Sequence, residues 1–294
     1  MKVFIAGGTG FVGEHLVREL QKDGHSVRLL VHSRNQLQGE AEQVAGDVTR
    51  KETFEGSLKG CDALINLVGV IREYPARGIT FKRLHVQATS NLLAAATRNG
   101  ISRYLQMSAL GTRPAAVSAY HQTKWLAEEA VRGSALEWTI FRPSLVYGPH
   151  DAFINMLAAQ LRLAPIMPVI GSGSYRLQPI HADDVARCFT RALAMPETVG
   201  QTYDLCGGDR VSYEELLDLI AVIMGRSVPW KPHLPLGLMK LVIPILQEIP
   251  QFPITSDQLQ MLLEESICGG EWQQVFGFEP RNLEAGIREY LHKT

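Results

Sequence analysis

Cysteine is scarce and scattered. The 294 residues hold four, Cys61, Cys188, Cys206 and Cys268, with no C-x-x-C pair and no Cys/His cluster at metal-ligand spacing, so no metal site is expected. They read as small buried hydrophobes in a reducing compartment. An excess of either charge is also lacking: 29 Lys and Arg face 30 Asp and Glu, a net charge of −1. No overall field gathers nucleic acid or anionic lipid, and no nucleic-acid partner is expected. There is no stretch of about 20 uninterrupted apolar residues, so no spanning helix is expected. Met1-Lys2 runs straight into a short apolar stretch, Val3 to Ala6, too brief for a signal-peptide core, and a cytoplasmic protein is expected. Core material is what the chain has in quantity, with 46% hydrophobic and 20% charged residues, and folding needs no metal or disulfide staple.

Short β-branched runs alternate with helical periodicity over the first two thirds, the pattern of a parallel sheet covered by helices on both faces. Strands are predicted near Lys2–Ala6, Ser26–Val31, Gln43–Ala45, Ala63–Leu67, Tyr104–Met107 and Thr139–Phe141. Helices fit Phe11–Lys22, Arg50–Leu58, Phe81–Arg98 and Ala119–Arg132. Around Gly148 the rhythm changes. The expected fold is α/β, a Rossmann-type doubly wound parallel sheet with a smaller, mostly helical C-terminal domain over the carboxyl ends of the strands. Residues 1–147, with 178–200 returning, form the dinucleotide-binding domain, and 148–177 with 201–294 form a substrate or cover domain.

The first strand leads into Gly7-Gly8-Thr9-Gly10-Phe11-Val12-Gly13 and then a helix. Gly7 suits a tight turn, Gly10 lets backbone N–H groups approach a pyrophosphate, and Gly13 lets helix and strand pack closely. The helix N-terminus adds unpaired donors and partial positive charge. About 20 residues further on, where an NAD site carries a ribose-binding carboxylate, stands Val31-His32-Ser33-Arg34. No acid there repels a 2′-phosphate, and Arg34 can bind one bidentately with Ser33 and His32 beside it, which favours NADP over NAD. Asp47, at the end of the third strand, reads equally as a contact to the adenine amino group or as a helix cap.

Tyr120-His121-Gln122-Thr123-Lys124 sets a phenol and an ammonium four residues apart, on one helix face. The cation is expected to lower the tyrosine pKa and hold the nicotinamide ribose, while Tyr120 exchanges a proton with a substrate hydroxyl or carbonyl. Ser108, just after the fifth strand, is the candidate for orienting the substrate.

These residues together resemble the short-chain dehydrogenase/reductase superfamily in its extended or atypical branch. The likeness covers Gly7–Gly13, Asp47-Val48, Asn66-Leu67-Val68-Gly69, Tyr120 with Lys124, and Arg142-Pro143-Ser144-Leu145-Val146-Tyr147-Gly148-Pro149. It implies that Thr9, Phe11 and Val12 share the phosphate loop, that Asp47 and Val48 meet the adenine, and that Leu67, Val68 and Gly69 flank the ribose. It further implies that Met107, Pro143, Ser144 and Val146 line the nicotinamide. Tyr175 to Val185 and Pro253 to Leu259 are similar to the nucleotide-binding accessory subunit of respiratory complex I and its bacterial relatives, which implies NADPH binding without an assigned substrate. One position departs from the pattern: Ala109 stands where extended members carry a second hydroxyl, and a strand neighbour such as Ser108 faces the other way.

His181 and Asp184 read as capping groups of the following helix, with His181 also a substrate candidate. Arg176 either meets an anionic substrate group or is an ordinary solvated arginine. Leu234–Ile249 is apolar nearly all round, which fits a buried lid, a docking surface for a partner protein or a membrane complex, or shallow membrane insertion. A single lysine on it favours the protein partner. The leading expectation is an NADP(H)-binding oxidoreductase or epimerase of a small carbonyl or hydroxyl substrate. The alternative is a non-catalytic nucleotide-binding assembly factor, cytoplasmic or peripheral to a membrane.

Overall fold

A computed structural model describes residues 1–32, 41–247, 249, 252, 254–269 and 271–291. In chain order the elements are β1 (Lys2–Ala6), α1 (Phe11–Lys22), β2 (Ser26–Val31), β3 (Glu42–Ala45), β4 (Ala63–Asn66), α2 (Ala88–Arg98), β5 (Arg103–Met107), α3 (Ala119–Arg132) and β6 (Glu137–Pro143). There follow β7 (Val146–Tyr147), α4 (Phe153–Leu163), β8 (Val169–Ile170), β9 (Arg176–Leu177), β10 (Ile180–His181), α5 (Ala182–Ala192) and β11 (Gln201–Leu205). The last are β12 (Val211–Ser212), α6 (Tyr213–Ile223), β13 (His233–Leu234), α7 (Leu236–Leu246), α8 (Ser256–Leu263), α9 (Trp272–Phe276) and α10 (Leu283–Arg288).

The chain divides into two compact units, residues 1–143 with 182–205 and residues 144–181 with 206–294. The division expected at 147, 178 and 200 falls at 143, 181 and 205. β7 pairs with β10 inside the second unit, while β11 pairs with β6 inside the first.

The first unit is a seven-stranded parallel sheet in the order β11-β6-β5-β4-β1-β2-β3, a Rossmann-type doubly wound arrangement. Its central strands are buried on both faces because each face meets helices: Val3, Phe4, Ile5 and Ala6 of β1 are all closed to solvent. Phe4, Leu64 and Tyr104 lie across one another in register and pack with Leu92, Ala96 and Val131 of α2 and α3. On the opposite face Phe141 packs against Phe189 of α5, with ring centroids 4.4 Å apart and the rings tilted by 43°. Strand order reverses between β1 and β4, the switch point at which such sheets bind ligands beyond their carboxyl ends.

The helix predicted over Phe81–Arg98 is not uniform. Lys82–Gln87 forms a π-helical stretch before α2 begins. Arg50–Leu58 forms two short 3₁₀ turns in place of one helix.

The second unit has its own core, in which Ile154, Leu157 and Leu161 of α4 pack with Leu216, Leu217 and Ile220 of α6 and with Ile287 of α10. A disulfide joins Cys206 to Cys268, whose Cα atoms lie 6.1 Å apart, and corrects the expectation of four reduced cysteines. Cys61 and Cys188 are free and buried as expected. Sequence could not pair two residues 62 apart. The contact arises because the 264–269 segment returns alongside Gln178, whose Oε1 accepts from the Cys268 amide.

Candidate functional site

The phosphate loop is built by close backbone approach. Gly7 adopts a φ of +85°, and a Cβ on it would stand 2.9 Å from the Leu67 carbonyl carbon, so the turns after β1 and β4 touch at the switch point. A Cβ on Gly13 would stand 2.5 Å from the Gly7 oxygen, so α1 can start this close to the turn only with glycine there. Gly10 donates its amide to the Gly7 carbonyl at 3.1 Å and caps α1 without a side chain, leaving the N–H groups of the first turn as donors for an anion. Thr9 and Phe11 are half-buried and Val12 is buried. Phe11 meets the His15 ring edge-on, and His15 Nδ1 lies 2.5 Å from Asp183 Oδ1 on α5. This cradle fits the pyrophosphate of a dinucleotide.

At the end of β2, His32 is exposed, and Ser33 and Arg34 lie outside the described residues. Asp47 Oδ1 accepts from the Thr49 amide and hydroxyl, both at 2.8 Å, so that oxygen caps the following turn. Burial works against its ionisation, but these Thr49 bonds, with His32 and Arg83 nearby, hold the carboxyl below its usual range. The Val48 carbonyl accepts from Asn91 at 3.0 Å.

Ser118 caps α3 by accepting the His121 amide, and Tyr120 and Lys124 follow on one buried face. Lys124 Nζ donates to the Met107 carbonyl at the end of β5 (3.2 Å) and reaches the Val68 carbonyl after β4 (3.5 Å). It also packs on Gly69, where a Cβ would stand 2.9 Å from Nζ. Lys124 thereby joins Met107, Val68 and Gly69 at the carboxyl ends of adjacent strands. Burial pushes its ammonium down to about 8, against the pull of Glu128. Burial likewise pushes the Tyr120 phenol up to about 12. The phenol is thus raised by burial where the sequence led to an expected lowering by Lys124.

Three aromatic rings surround Tyr120: Phe81 at 5.7 Å, and His85 and His121 at 5.3 Å. Sequence reasoning missed His85. Its Nε2 accepts the Val70 amide at 3.3 Å, so the ring proton sits on Nδ1, which lies 2.9 Å from Thr123 Oγ1 on α3. Burial pushes this imidazole down to about 2, so it stays neutral. The π-helical turn carries His85, a local irregularity of the kind that recurs at functional sites. Asn66 was also missed as a support: its amide donates to Gln106, Thr89 and Tyr104, and its Oδ1 accepts the Val68 amide at 3.0 Å. His85 carries no spacing signal, and Asn66, though it opens the family-like stretch Asn66-Leu67-Val68-Gly69, takes its other partners from other strands and helices.

Ser108 is buried, its amide bonded to the Phe141 carbonyl at 2.7 Å and its hydroxyl 3.4 Å from Thr112. Pro143 ends β6, its carbonyl accepting from Leu110 at 2.9 Å. The remaining predicted residues belong to the second unit. The Ser144 hydroxyl bonds to Ser266, and Val146 pairs with Ile180. Arg176 is exposed and forms a two-point pair with Glu265 at 2.8 and 2.9 Å. His181 is buried with its ring edge-on to Tyr147 at 5.1 Å.

The model of the NAD dependent epimerase/dehydratase family matches residues 3–206. The chain is 30% identical over 270 residues to the Arabidopsis thaliana mitochondrial "NADH dehydrogenase [ubiquinone] 1 alpha subcomplex subunit 9", covering 87% of this chain and 66% of that protein. It is 33% identical over 205 residues to the "Ceramide reductase" of Caulobacter vibrioides, covering 66% of this chain and 63% of the other. The match thus spans just under two thirds of each relative's own length. The crystal structure of DesIV, a dTDP-glucose 4,6-dehydratase from Streptomyces venezuelae with NAD bound, superposes with a TM-score of 0.77 at 21% identity, covering 99% of this chain and 96% of that one.

Proposed function

This chain belongs to the NAD dependent epimerase/dehydratase family, and from that premise we propose that it is an NADP(H)-dependent oxidoreductase that reduces a carbonyl substrate through Tyr120 and Lys124. The observation that carries this reading is the Lys124 ammonium, bonded to the Met107 carbonyl and close to the Val68 carbonyl, one helical turn from the buried Tyr120 phenol. When bound, a nicotinamide dinucleotide supplies hydride-transfer chemistry. The free N–H groups at the start of α1 would hold its pyrophosphate, and Lys124 would donate to the nicotinamide ribose. Burial keeps the Tyr120 phenol protonated at neutral pH, so it carries the proton that the oxygen of a carbonyl being reduced would take. The relative named a ceramide reductase supports this direction. The 2′-phosphate preference rests on Arg34 and Ser33 and on the absence of an acid in Val31-His32-Ser33-Arg34.

A second reading, a nucleotide-binding assembly or structural protein, draws on Ala109 and on the likeness to the Arabidopsis subunit. In that reading Leu234–Ile249 docks on a membrane complex. No helix among the described residues is long and apolar enough to cross a membrane, and a membrane-peripheral location suits both readings.

One experiment separates them. The purified protein is denatured, the released nucleotide is identified by mass spectrometry, and NADPH oxidation across a carbonyl panel is compared with that of Tyr120→Phe. NADP in the protein and a rate loss of about a hundredfold or more are expected. Release of NAD alone would overturn the cofactor reading, and equal rates would overturn the Tyr120 mechanism in favour of the second reading.

A further inference from the structure

Helix α7 is apolar at ten of its eleven positions, yet only Ile243 is buried. Leu238, Leu241 and Ile245 are 54%, 72% and 73% exposed and fall at i, i+3 and i+7, one stripe along the helix. An exposed stripe of this kind calls for an occupant, and its chemistry narrows the choice. The stripe offers no hydrogen-bonding side-chain atom. Protein interfaces carry about one hydrogen bond per 100–200 Å² and cores rich in aromatic residues and Arg, whereas hydrocarbon asks for neither. At 11 residues α7 is too short to span a bilayer and suits one lying in its surface plane.

The stretch of chain leading into α7 is basic. Between Asp218 and Glu248 the sequence has no acidic residue but contains Arg226, Lys231, His233 and Lys240. Lys231 is paired with Asp218 and His233 with Glu214, while Arg226 donates to the neutral Leu161 carbonyl and Lys240 is exposed on α7 itself. A lysine stem lets the stripe sink while the ammonium stays at headgroup level. Trp230, just before the helix, is 68% exposed and has the amphipathic ring that favours the interface.

We propose that α7 seats the second unit on an anionic phospholipid surface, with Leu238, Leu241 and Ile245 entering the acyl boundary and Lys240 and Arg226 meeting the phosphates. The test is sedimentation of the full chain with phosphatidylcholine vesicles, with and without phosphatidylglycerol. Binding is expected to need the anionic lipid and to weaken with salt. Leu241→Asp with Ile245→Asp is expected to lower partitioning by at least about tenfold, and Lys240→Glu by about fivefold. Both variants should keep the wild-type thermal midpoint and nucleotide content, which rules out misfolding and keeps this test separate from that of the cofactor. Failure of the wild type to sediment would overturn the proposal, as would undiminished binding of the double variant. A wild-type dimer that the same substitutions split would assign the stripe to a second copy and overturn it too. Retention only on vesicles carrying a membrane protein would assign it to a protein partner, with the same consequence.

Discussion

Helix α3 takes Tyr120, His121, Lys124 and Glu128 into the interior and leaves Leu126 outside, whereas α7 keeps Ile243 inside and leaves two leucines and an isoleucine in solvent. Both depart from the usual distribution, in opposite directions, and the consequences differ. A buried charge is costly unless partners replace its water. On α3 they do: Lys124 has main-chain carbonyls, and Glu128 accepts two bonds from Arg142 and one from Arg132. An exposed leucine costs little in the folded state, so α7 needs no internal compensation. Departures of the first kind are locked into the fold, and those of the second are left available at its surface.

The sharpest way to break the comparison is to remove an internal partner. Glu128→Gln removes the buried charge that faces Arg142 and Arg132, leaving Arg142 with Asp204 at 3.8 Å, and should lower stability by about 3 kcal/mol, measured by urea unfolding. His85→Ala, which orphans the Val70 amide and opens the packing around Tyr120, should cost about 2 kcal/mol, while His85→Gln, able both to accept and to donate, should recover part of it. Lys124 gives a pH signature. Its folded pKa of about 8 lies below the ordinary lysine value of 10.5, so the unfolded chain holds the extra proton between these values. Stability should therefore rise with pH from about 8 towards 10, by roughly 1–2 kcal/mol, and Lys124→Met should abolish that rise in unfolding midpoints compared across the range. Smallest of all, Leu241→Gln on α7 should change stability by no more than about 0.5 kcal/mol. A large loss there would show that the stripe is part of a core.

The contrast also separates what could be read in the sequence from what could not. The glycine turn, the strands around it and the Tyr120–Lys124 pair were legible because their signals are local: a fixed spacing after an apolar run, or two residues one helical turn apart. The reversed tyrosine shift was not, since it depends on how completely Phe81, His85 and His121 enclose the ring. The π-helical turn was hidden because one wide turn hardly disturbs an amphipathic pattern over Phe81–Arg98. Asp47 was left open by spacing, and only its Thr49 bonds show the capping role. The apolar run of α7 announced itself, but a run cannot say whether it faces inward or outward.

The edge strand β11 sets a schedule for synthesis. The first 143 residues supply six of the seven parallel strands, and β6 then waits for a neighbour that lies 62 residues further on, since Gln201–Leu205 pairs with Thr139–Pro143. Arg103 waits as well, because its guanidinium donates to Ala192 and Thr198 of the same late segment. At translation rates of about 5–20 residues per second, a nascent chain carries an unpaired sheet edge and an uncovered Phe141 for several seconds while the intervening 144–181 segment is made. The interleaved topology makes that window the stage at which chaperone capture, or misassembly between neighbouring nascent chains, is decided.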